Sequence, residues 1–409
     1  MQGAPPQPCY NSAMSYPQLT VAPSAAKRIQ HFDCWVFRDE LTGAAPSLPN
    51  GELVELIDQR NIFLAYAFYS ACSHIAARVI SLDKDRPCDR ALLAERLAAA
   101  IAKREAVRGT NAKRLVFSEA DGLPGLFVDQ YADVLVLQSR TAGMERWKST
   151  VVDLLREAVH PAGILERSDK EFRDEEDLPP LTQVLDGTVP ARLRIEEDGL
   201  EFVVDPHHGH KTGFYLDQRE TRRAIKALIT PGERVADVCA YTGSFGISAA
   251  SRGASVVCVE QQEPLLALVK EHAVLNRVEE RIECVAADAF YWLEAKARSR
   301  ERFDWILLDP PSLAKSKVGT LKGRQALHRL LVHALGALAP RGTLVLSVCT
   351  YHLLGLAEEI LRIAAEERGL RLRVVAATMQ APDHPWILQM PVTRYLMSWM
   401  ARVDGSRAA

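Results

Sequence analysis

The segment from Glu233 to Gly246 constrains the fold more than any other part of the chain. It reads Glu-Arg-Val-Ala-Asp-Val-Cys-Ala-Tyr-Thr-Gly-Ser-Phe-Gly, an apolar strand over 235–238 followed by a turn, after which a helix opens at Ser244. This order is typical of the first unit of a doubly wound α/β sheet, where ligands bind at the carboxyl ends of the strands. The turn has neither Gly-x-Gly-x-x-Gly nor Gly-Lys-Ser/Thr, so the motifs that hold a pyrophosphate are missing. NAD and ATP are therefore poor candidates for the ligand.

Acidic residues end or follow the next predicted strands. Glu260, Asp288 and Asp309 each come directly at or after an apolar run. A single such residue is more often a helix cap or a solvated turn. Because the carboxyl ends of parallel strands share one crevice, the whole series in order predicts a common ligand site. The predicted strands are 254–260, 281–286, 303–308 and 342–348, with a closing hairpin of 371–378 and 394–403.

This pattern indicates a class I methyltransferase, a Rossmann-like α/β fold with a seven-stranded sheet. Its cofactor, S-adenosylmethionine, is a cationic amino-acid nucleoside that suits an open turn beside carboxylates. We expect Glu260 to accept hydrogen bonds from the ribose hydroxyls and Asp288 to meet the adenine amine. The other residues predicted to bind the cofactor in this domain are Asp237, Tyr241, Thr242, Gly243, Phe245 and Asp309.

Cys349 ends the fifth predicted strand, opposite Asp309-Pro310-Pro311. Most cysteines on strands are small buried hydrophobes, and Cys239, Cys258 and Cys284 fit that description. Cys349 differs because it lies beyond the apolar run of its strand. Its position favours an active-site role.

The composition excludes several classes of protein. With 409 residues, 48% of them apolar and 25% charged, the chain fits a soluble protein of two or three domains. The eight cysteines are scattered without a Cys-x-x-Cys pair, which predicts no zinc site, no disulfide framework and a reducing cytoplasm. We expect no membrane segment. The net charge of −2 indicates that any RNA-binding basic residues are concentrated locally.

The pattern along the chain predicts four regions. Residues 1–17 are rich in Pro, Ala, Ser and Gln and are expected to form a disordered leader. Residues 18–90 contain short strand candidates that suggest a small β-barrel. Residues 91–192 are expected to form a central α/β domain, with basic residues crowded near its start between 103 and 114. Residues 193–409 then form the catalytic domain.

The segment 205–219 is unusual because three of its first six residues are histidines, at 207, 208 and 210. Metal binding is one interpretation, but no second His or Cys cluster supports it. A linker with a helix cap at position 217 is another. We favour a loop that covers the cofactor, since its glycines permit close backbone approach. The residues predicted to contact the cofactor here are Lys211, Gly213, Tyr215, Asp217 and Arg219.

Several of these motifs resemble the bacterial ribosomal RNA large subunit methyltransferase I family, which makes 5-methylcytosine. The resemblance covers most of the chain. It rests on the following motifs: Cys34–Asp39, Tyr69-Ser70 and Ile75–Val79 in the first domain, Glu119–Leu126 in the central domain, His208–Gly213 with Tyr215–Arg219, and Asp383-His384-Pro385. There are two departures: Asp33-Cys34 replaces the His-Pro pair expected before Trp35, and Ser347-Val348-Cys349-Thr350 stands where the family tends to have Ser-Cys-Ser.

The resemblance implies an RNA-binding PUA domain over 18–90, ribosomal RNA as the substrate, and specific chemistry. The thiolate of Cys349 would add to carbon 6 of cytosine, and Asp309 would polarise ring nitrogen 3. The residues expected to contact the target base or RNA are Pro310, Pro311, Lys315, Lys317, Lys322 and Arg324. The RNA is expected to be naked or partly assembled, and the enzyme a monomer or homodimer.

Two other functions remain open from the sequence. Asp309-Pro310-Pro311 also suits methylation of a guanine or adenine nitrogen, although Ser312 stands where such sites commonly have an aromatic residue. A non-catalytic RNA-binding or assembly factor could retain the fold. Such a factor should show no saturable heat with S-adenosylmethionine, so calorimetry separates it from an enzyme.

Overall fold

The structure of the chain is a computed structural model, which describes residues 15–43, 47–168, 173–299, 301–313 and 319–406. The first domain is a five-stranded sheet of order β1-β3-β4-β5-β2, antiparallel except for the β1–β3 pair. Its elements are β1 (Gln18–Thr20), α1 (Pro23–Gln30), β2 (Trp35–Phe37), β3 (Leu53–Ile57), β4 (Phe63–Tyr69) and β5 (Ile75–Ser81). The short strands expected in this region are present. Helix α1 was not predicted; Pro23 begins it, and Ala25, Ala26 and Ile29 bury one face.

The central domain is a second five-stranded sheet, of order β10-β9-β8-β7-β6. Its elements are α2 (Arg90–Lys103), β6 (Ala112–Phe117), β7 (Leu126–Tyr131), β8 (Val134–Ser139), α3 (Ala142–Val159), β9 (Gly163–Ser168) and β10 (Leu181–Gly187). Asp89 and Thr141 cap the two helices through their side chains. Strands β9 and β10 were not predicted. A hairpin of β11 (Leu193–Glu197) and β12 (Leu200–Val204) then leads to the third domain.

The third domain is a seven-stranded sheet of order β15-β14-β13-β16-β17-β19-β18. Its strands are β13 (Arg234–Val238), β14 (Ser255–Glu260), β15 (Ile282–Ala286), β16 (Phe303–Leu308), β17 (Leu338–Val348), β18 (Leu370–Met379) and β19 (Met397–Ser406). Strands β13 to β17 are parallel, whereas β19 is antiparallel to both neighbours. The order reverses at β13, which places the predicted ligand crevice at the carboxyl ends of β13, β14 and β16.

Helices cover both faces of this sheet and bury an apolar core on each. They are α4 (Arg219–Leu228), α5 (Ser244–Ala250), α6 (Glu263–Leu275), α7 (Ala289–Arg298), α8 (Thr320–Ala337) and α9 (Tyr351–Glu367). The central strands are almost continuous apolar runs because both their faces are buried, as parallel sheets require. Among the described residues, no helix is long and apolar enough to cross a membrane.

Buried ion pairs join the central domain to the catalytic domain. Arg104 donates to both carboxylate oxygens of Asp121 at 2.7 Å and to the carbonyl of Asp383 at 3.0 Å. Asp383 accepts the backbone N–H of Arg114, whose guanidinium makes two 2.7 Å bonds to Asp129. Because removing one partner of such a pair leaves a buried charge, each of these contacts constrains the approach of the two domains.

The first domain is docked closely against the central domain. Gly143 lies so near Phe68 that a Cβ built on it would be 2.3 Å from the ring carbon Cγ. Arg78 of β5 donates to Glu119 at 3.1 Å and lies 3.5 Å from Glu176, and the indole of Trp35 donates to Glu119 at 2.8 Å. These contacts hold the first domain in a fixed orientation to the central domain.

Candidate cofactor and active site

The turn after β13 is held in an unusual backbone conformation. Cys239, Tyr241 and Gly243 all have positive φ, of 63°, 51° and 76°. A Cβ at Gly243 would lie 2.9 Å from Val269, so both the conformation and the packing require glycine there. The chain therefore reverses within five residues and presents the residues of the turn at the mouth of the crevice.

Asp237 stabilises this turn through a hydrogen bond to the backbone that follows it. It is buried, and its Oδ2 accepts the backbone N–H of Gly246 at 2.8 Å. Burial raises the pKa of Asp237 to about 8, because it outweighs the hydrogen bond from Gly246 and is reinforced by the charges of Asp309 and Glu260. Phe245, also predicted to contact the cofactor, instead lies in the apolar core under α5.

Glu260 lies at the carboxyl end of β14, as predicted, with its carboxylate fixed by the backbone. Oε2 accepts the N–H of Tyr241 at 3.0 Å and Oε1 accepts the N–H of Gln262 at 3.1 Å. Asp288 follows β15 and caps α7, since its Oδ1 accepts the N–H groups of Phe290 and Tyr291. The capping role considered for a lone acidic residue is therefore real at Asp288, which leaves Oδ2 for another donor.

Thr242 shows that the turn fits a polar ligand. Its hydroxyl is buried and has no hydrogen-bond partner among the described residues. Its carbonyl is already used, because it accepts from Nδ1 of His272 at 2.9 Å. A buried hydroxyl without a partner is costly, so this site favours a ligand that supplies a donor or acceptor.

The segment after β12 folds over the turn. The ring of His210 stacks on Tyr241 with centroids 4.6 Å apart, and Tyr215 packs edge-on against the same ring at 5.1 Å. Gly213 has a φ of 136°, and a Cβ there would lie 2.4 Å from Val204. Of the three histidines, His210 packs on Tyr241, and the backbone N–H groups of His207 and His208 donate to Asp205. Among the described residues no three potential ligands lie together as a metal site.

Lys211 and Asp217 form an ion pair at the centre of this segment. Nζ of Lys211 lies 2.6 Å from Oδ2 of Asp217 and 4.3 Å from the ring centroid of Tyr215. The phenol of Tyr395 donates to the same Oδ2 at 2.6 Å. Lys211, His384 and these hydrogen bonds outweigh burial and hold the pKa of Asp217 well below its usual value. Its other oxygen, Oδ1, is buried without a partner among the described residues.

Arg219 does not face the crevice. It is fully buried and pairs with Glu197 at 3.2 Å and with Asp383 at 3.1 Å, and it donates to the carbonyl of Ala112. The predicted contact between its side chain and the cofactor is therefore revised. Arg219 belongs to the buried network between the domains, where it fixes the first turn of α4.

Asp309 and Cys349 directly follow the neighbouring strands β16 and β17. Asp309 is half-buried and accepts a hydrogen bond from Gln218 at 3.1 Å. Burial and the adjacent Asp217 raise its pKa to about 7. Burial, followed by the charge of Asp309, raises the pKa of the Cys349 thiol to about 11. A negative charge on Asp309 therefore opposes ionisation of the Cys349 thiol.

A small cavity separates the loops that follow these two strands. Its lining includes Pro310, Pro311, Leu313, Cys349 and Leu353. Across it, the hydroxyls of Ser312 and Thr350 share a 2.7 Å hydrogen bond. That bond ties the Asp-Pro-Pro loop to the residue after the cysteine, so Cys349 has a defined position relative to the prolines.

The predicted basic residues are only partly described. Lys315 and Lys317 lie outside the described residues. Lys322 is exposed, whereas Arg324 pairs with Glu359 at 2.7 Å. In the central domain Arg104 and Arg114 are buried in ion pairs, so they cannot take part in the basic surface expected there.

Three participants were not singled out from the sequence: Gln218, Thr221 and Tyr395. Gln218 contacts Asp309, 91 positions away, and Tyr395 contacts Asp217, 178 positions away. Thr221 contacts Gln218. Asp383 and His384, noted only as a motif, are buried and share a 3.0 Å hydrogen bond. The motif was the one available signal for this part of the site.

Two family models match the chain and define its class. Residues 181–387 match the model described as S-adenosylmethionine-dependent methyltransferase, and residues 19–82 match the model described as PUA-like domain. The chain is an S-adenosylmethionine-dependent methyltransferase with an amino-terminal PUA-like domain, which confirms the predicted fold and cofactor.

Full-length relatives narrow the class. A ribosomal RNA large subunit methyltransferase I from Shewanella amazonensis is 35% identical over 396 residues, covering 94% of this chain and 99% of its own. The protein of the same name from Salmonella arizonae is 32% identical over 402 residues, covering 95% and 98%. The chain belongs to the ribosomal RNA large subunit methyltransferase I family.

Solved structures show the same fold along 95% of the chain. The crystal structure of SMU.776 complexed with SAH has a TM-score of 0.82 at 21% identity and covers 95% of this chain and 100% of its own. A methyltransferase structure from Streptococcus mutans has a TM-score of 0.81 at 20% identity with the same coverage. All three domains therefore occur together in solved proteins of this architecture.

Proposed function

We propose that this chain methylates carbon 5 of a cytosine in large-subunit ribosomal RNA in the cytoplasm, with Cys349 as the nucleophile. Membership of the family and the PUA-like domain support ribosomal RNA as the substrate. The observation that carries the cytosine chemistry is the position of Cys349, which directly follows β17, lies close enough to Asp309 to feel its charge, and borders the cavity beside Pro310 and Pro311.

Carbon 5 of cytosine is a poor nucleophile, so it needs activation before it can be methylated. Addition of a thiolate to carbon 6 converts the ring to an enamine, whose carbon 5 is electron-rich. S-adenosylmethionine, when bound, supplies an electrophilic methyl group. A base, which can be water, then removes the proton from carbon 5, and the thiolate of Cys349 leaves.

Asp309 stabilises the charge that develops on the ring. With a pKa raised to about 7, it is protonated in about half of the molecules at neutral pH and can donate to ring nitrogen 3. Protonation also removes the negative charge that disfavours the thiolate of Cys349. The proton on Asp309 thus both polarises ring nitrogen 3 and favours the thiolate of Cys349 in the first step.

Other residues at the crevice are assigned to binding the cofactor and take no part in the chemical step. Glu260 is the acceptor that we assign to the ribose hydroxyls, and Thr242 supplies an unused buried hydroxyl. Asp288, through Oδ2, is assigned to the adenine amine. Lys211, Tyr215 and Asp217, which contact one another, are assigned to the segment that covers the cofactor.

RNA would enter over the exposed side of the Asp-Pro-Pro loop. Pro310 and Pro311 border the cavity beside Cys349, and the target base must be flipped out of its stack to reach it. Lys322 is exposed nearby on α8, where a phosphate could pass. We assign the remaining RNA contacts to the PUA-like domain.

Methylation of a purine nitrogen is the competing function, because a carboxylate followed by two prolines can also hold an amine. Here Ser312 follows the prolines and its hydroxyl bonds to Thr350, so no aromatic ring stacks on the base from this position. Mass spectrometry of ribosomal RNA from a deletion strain separates the two. Loss of one 5-methylcytidine supports the proposal, and loss of a methylated purine overturns it.

A further inference from the structure

A line of buried and half-buried polar side chains leads from the closing strands to Asp309. The hydroxyl of Thr221, at the start of α4, lies 2.8 Å from that of Thr378 on β18 and 3.2 Å from that of Ser398 on β19. It donates to Oε1 of Gln218 at 2.8 Å. Nε2 of Gln218 then donates to Oδ2 of Asp309 at 3.1 Å.

The orientation of the Gln218 amide, with Oε1 towards Thr221 and Nε2 towards Asp309, orders the donors beside it. Oε1 of Gln218 can only accept, so the single proton of Thr221 is used there. Thr221 can then accept from Thr378, whose hydroxyl lies 2.8 Å away and is able to donate. Because both Gln218 and Thr221 are buried, water does not offer alternative partners. The amide of Gln218 is thus held with its NH₂ group towards Asp309.

This orientation decides which oxygen of Asp309 can carry a proton. Oδ2 already accepts from Gln218, and a proton there would face the amide NH₂ group. We propose that Gln218 is a positioning residue that occupies Oδ2 of Asp309 and so directs its acidic proton, on Oδ1, to the target base. The inference rests on the proposed role of Asp309 as the acid.

Thr221 is required for the same reason. Without its hydroxyl, Oε1 of Gln218 would be buried without a donor, and the amide would rotate to present Oε1 to Asp309. An acceptor facing Oδ2 would draw the proton to that oxygen, away from the base. Loss of the Gln218 amide and loss of the Thr221 hydroxyl each remove a hydrogen-bond donor from the carboxylate of Asp309, and so each favours its protonated form. The pKa of Asp309 should therefore rise in either variant.

The test compares four variants by single-turnover methylation of transcribed large-subunit RNA between pH 5.5 and 9. Gln218→Met keeps the length of the side chain without its amide, and Thr221→Val keeps volume without its hydroxyl. Thr221→Ser restores that hydroxyl. Thr343→Val is the matched control, since Thr343 is a buried threonine of the same sheet outside this line.

We expect Gln218→Met and Thr221→Val to lower the plateau rate by roughly 10- to 100-fold, as for loss of a hydrogen bond to a charged group. The inflection near pH 7 should move upward by roughly one unit. Thr221→Ser should restore most of the rate and the inflection, and Thr343→Val should leave the inflection in place. Calorimetry should show near-parental cofactor binding in all four.

A slower rate with an unmoved inflection would show that Gln218 only supports the fold, and this would overturn the inference. Failure of the proposed function gives a different result. In that case a 5-fluorocytosine RNA forms no covalent complex with the parent enzyme, whereas the pH series still reports on the contact between Gln218 and Asp309.

Discussion

Replacing Asp309 by asparagine removes the negative charge beside Cys349 while nearly preserving shape. In the parent enzyme the pKa of the Cys349 thiol is raised to about 11, chiefly by burial and next by Asp309. Burial remains in Asp309→Asn, so the thiol pKa should stay above its ordinary value of 9. We therefore expect the pKa of the Cys349 thiol to fall by about one unit, midway between its value in the parent enzyme and its ordinary value, which corresponds to about 1.4 kcal/mol.

The effect should depend on pH in a specific way. At pH 8 a thiol with a pKa of about 11 is ionised in roughly one molecule in a thousand, and a one-unit fall gives roughly ten times more thiolate. Asp309, with a pKa of about 7, is neutral well below pH 7 and then exerts no charge. Parent and variant should therefore differ above pH 7 and converge at pH 6.

The assay is the alkylation rate of Cys349 by iodoacetamide, followed residue by residue with peptide mass spectrometry. Cys72 is exposed and lies in the first domain, so its rate is an internal reference that should be equal in both proteins. We expect Asp309→Asn to alkylate faster at Cys349 and yet to lose methylation, because asparagine has no acidic proton for ring nitrogen 3. Equal alkylation rates at every pH would refute the proposed coupling of the two groups.

Three further predictions concern the pocket and the RNA surface. Asp237 binds a proton more tightly in the folded than in the unfolded protein, because folding raises its pKa from 3.8 to about 8; its contribution to stability is therefore lost as the pH rises between these two values. Asp237→Asn should raise the Tm of the apo protein more at pH 8 than at pH 5, and equal rises would contradict this. Glu260→Ala should weaken cofactor binding by roughly 1.5–3 kcal/mol in calorimetry, and unchanged affinity would remove Glu260 from the site. Lys322→Ala should reduce the salt slope of RNA binding by about one unit, more than Arg324→Ala, whose parent side chain is held by Glu359; an unchanged slope would make Lys322 a solvated charge.

The carboxyl ends of the parallel strands were predictable because they follow from local patterns. Each apolar run of the sheet is a buried strand, and the residue after it must emerge at the common crevice. The positions of Glu260, Asp309 and Cys349 therefore follow from the sequence pattern itself. The turn at Gly243 was predictable for the same reason, since its glycine follows directly on a strand.

Contacts between distant segments could not be read from these patterns. Arg219 looked like a cofactor contact because its neighbours in sequence face the crevice, but Glu197 and Asp383 draw its guanidinium into the domain interface. Gln218 gives no periodic signal, and its role depends on Thr221 and on the folded position of Asp309. Helix periodicity also cannot show which charged side chains find buried partners.

Among the elements that were not predicted, helix α1 and strand β10 were missed for reasons of local sequence. Helix α1 lies in a region of short strands, and its eight residues are too few to give a clear periodicity. Strand β10 is largely exposed because it lies at the edge of its sheet, so it lacks the apolar run or strict alternation of a buried strand. In both cases the surrounding tertiary structure supplies the stabilisation that propensity does not.

The most direct test of the central claim is covalent trapping with RNA that contains 5-fluorocytosine. Fluorine at carbon 5 cannot leave as a proton, so an enzyme that attacks carbon 6 should remain joined to the RNA through Cys349. We predict a denaturation-resistant complex with the parent enzyme and cofactor, and none with Cys349→Ala or Cys349→Ser. Methylation that persists in Cys349→Ala, with the methyl group on a nitrogen, would contradict the account.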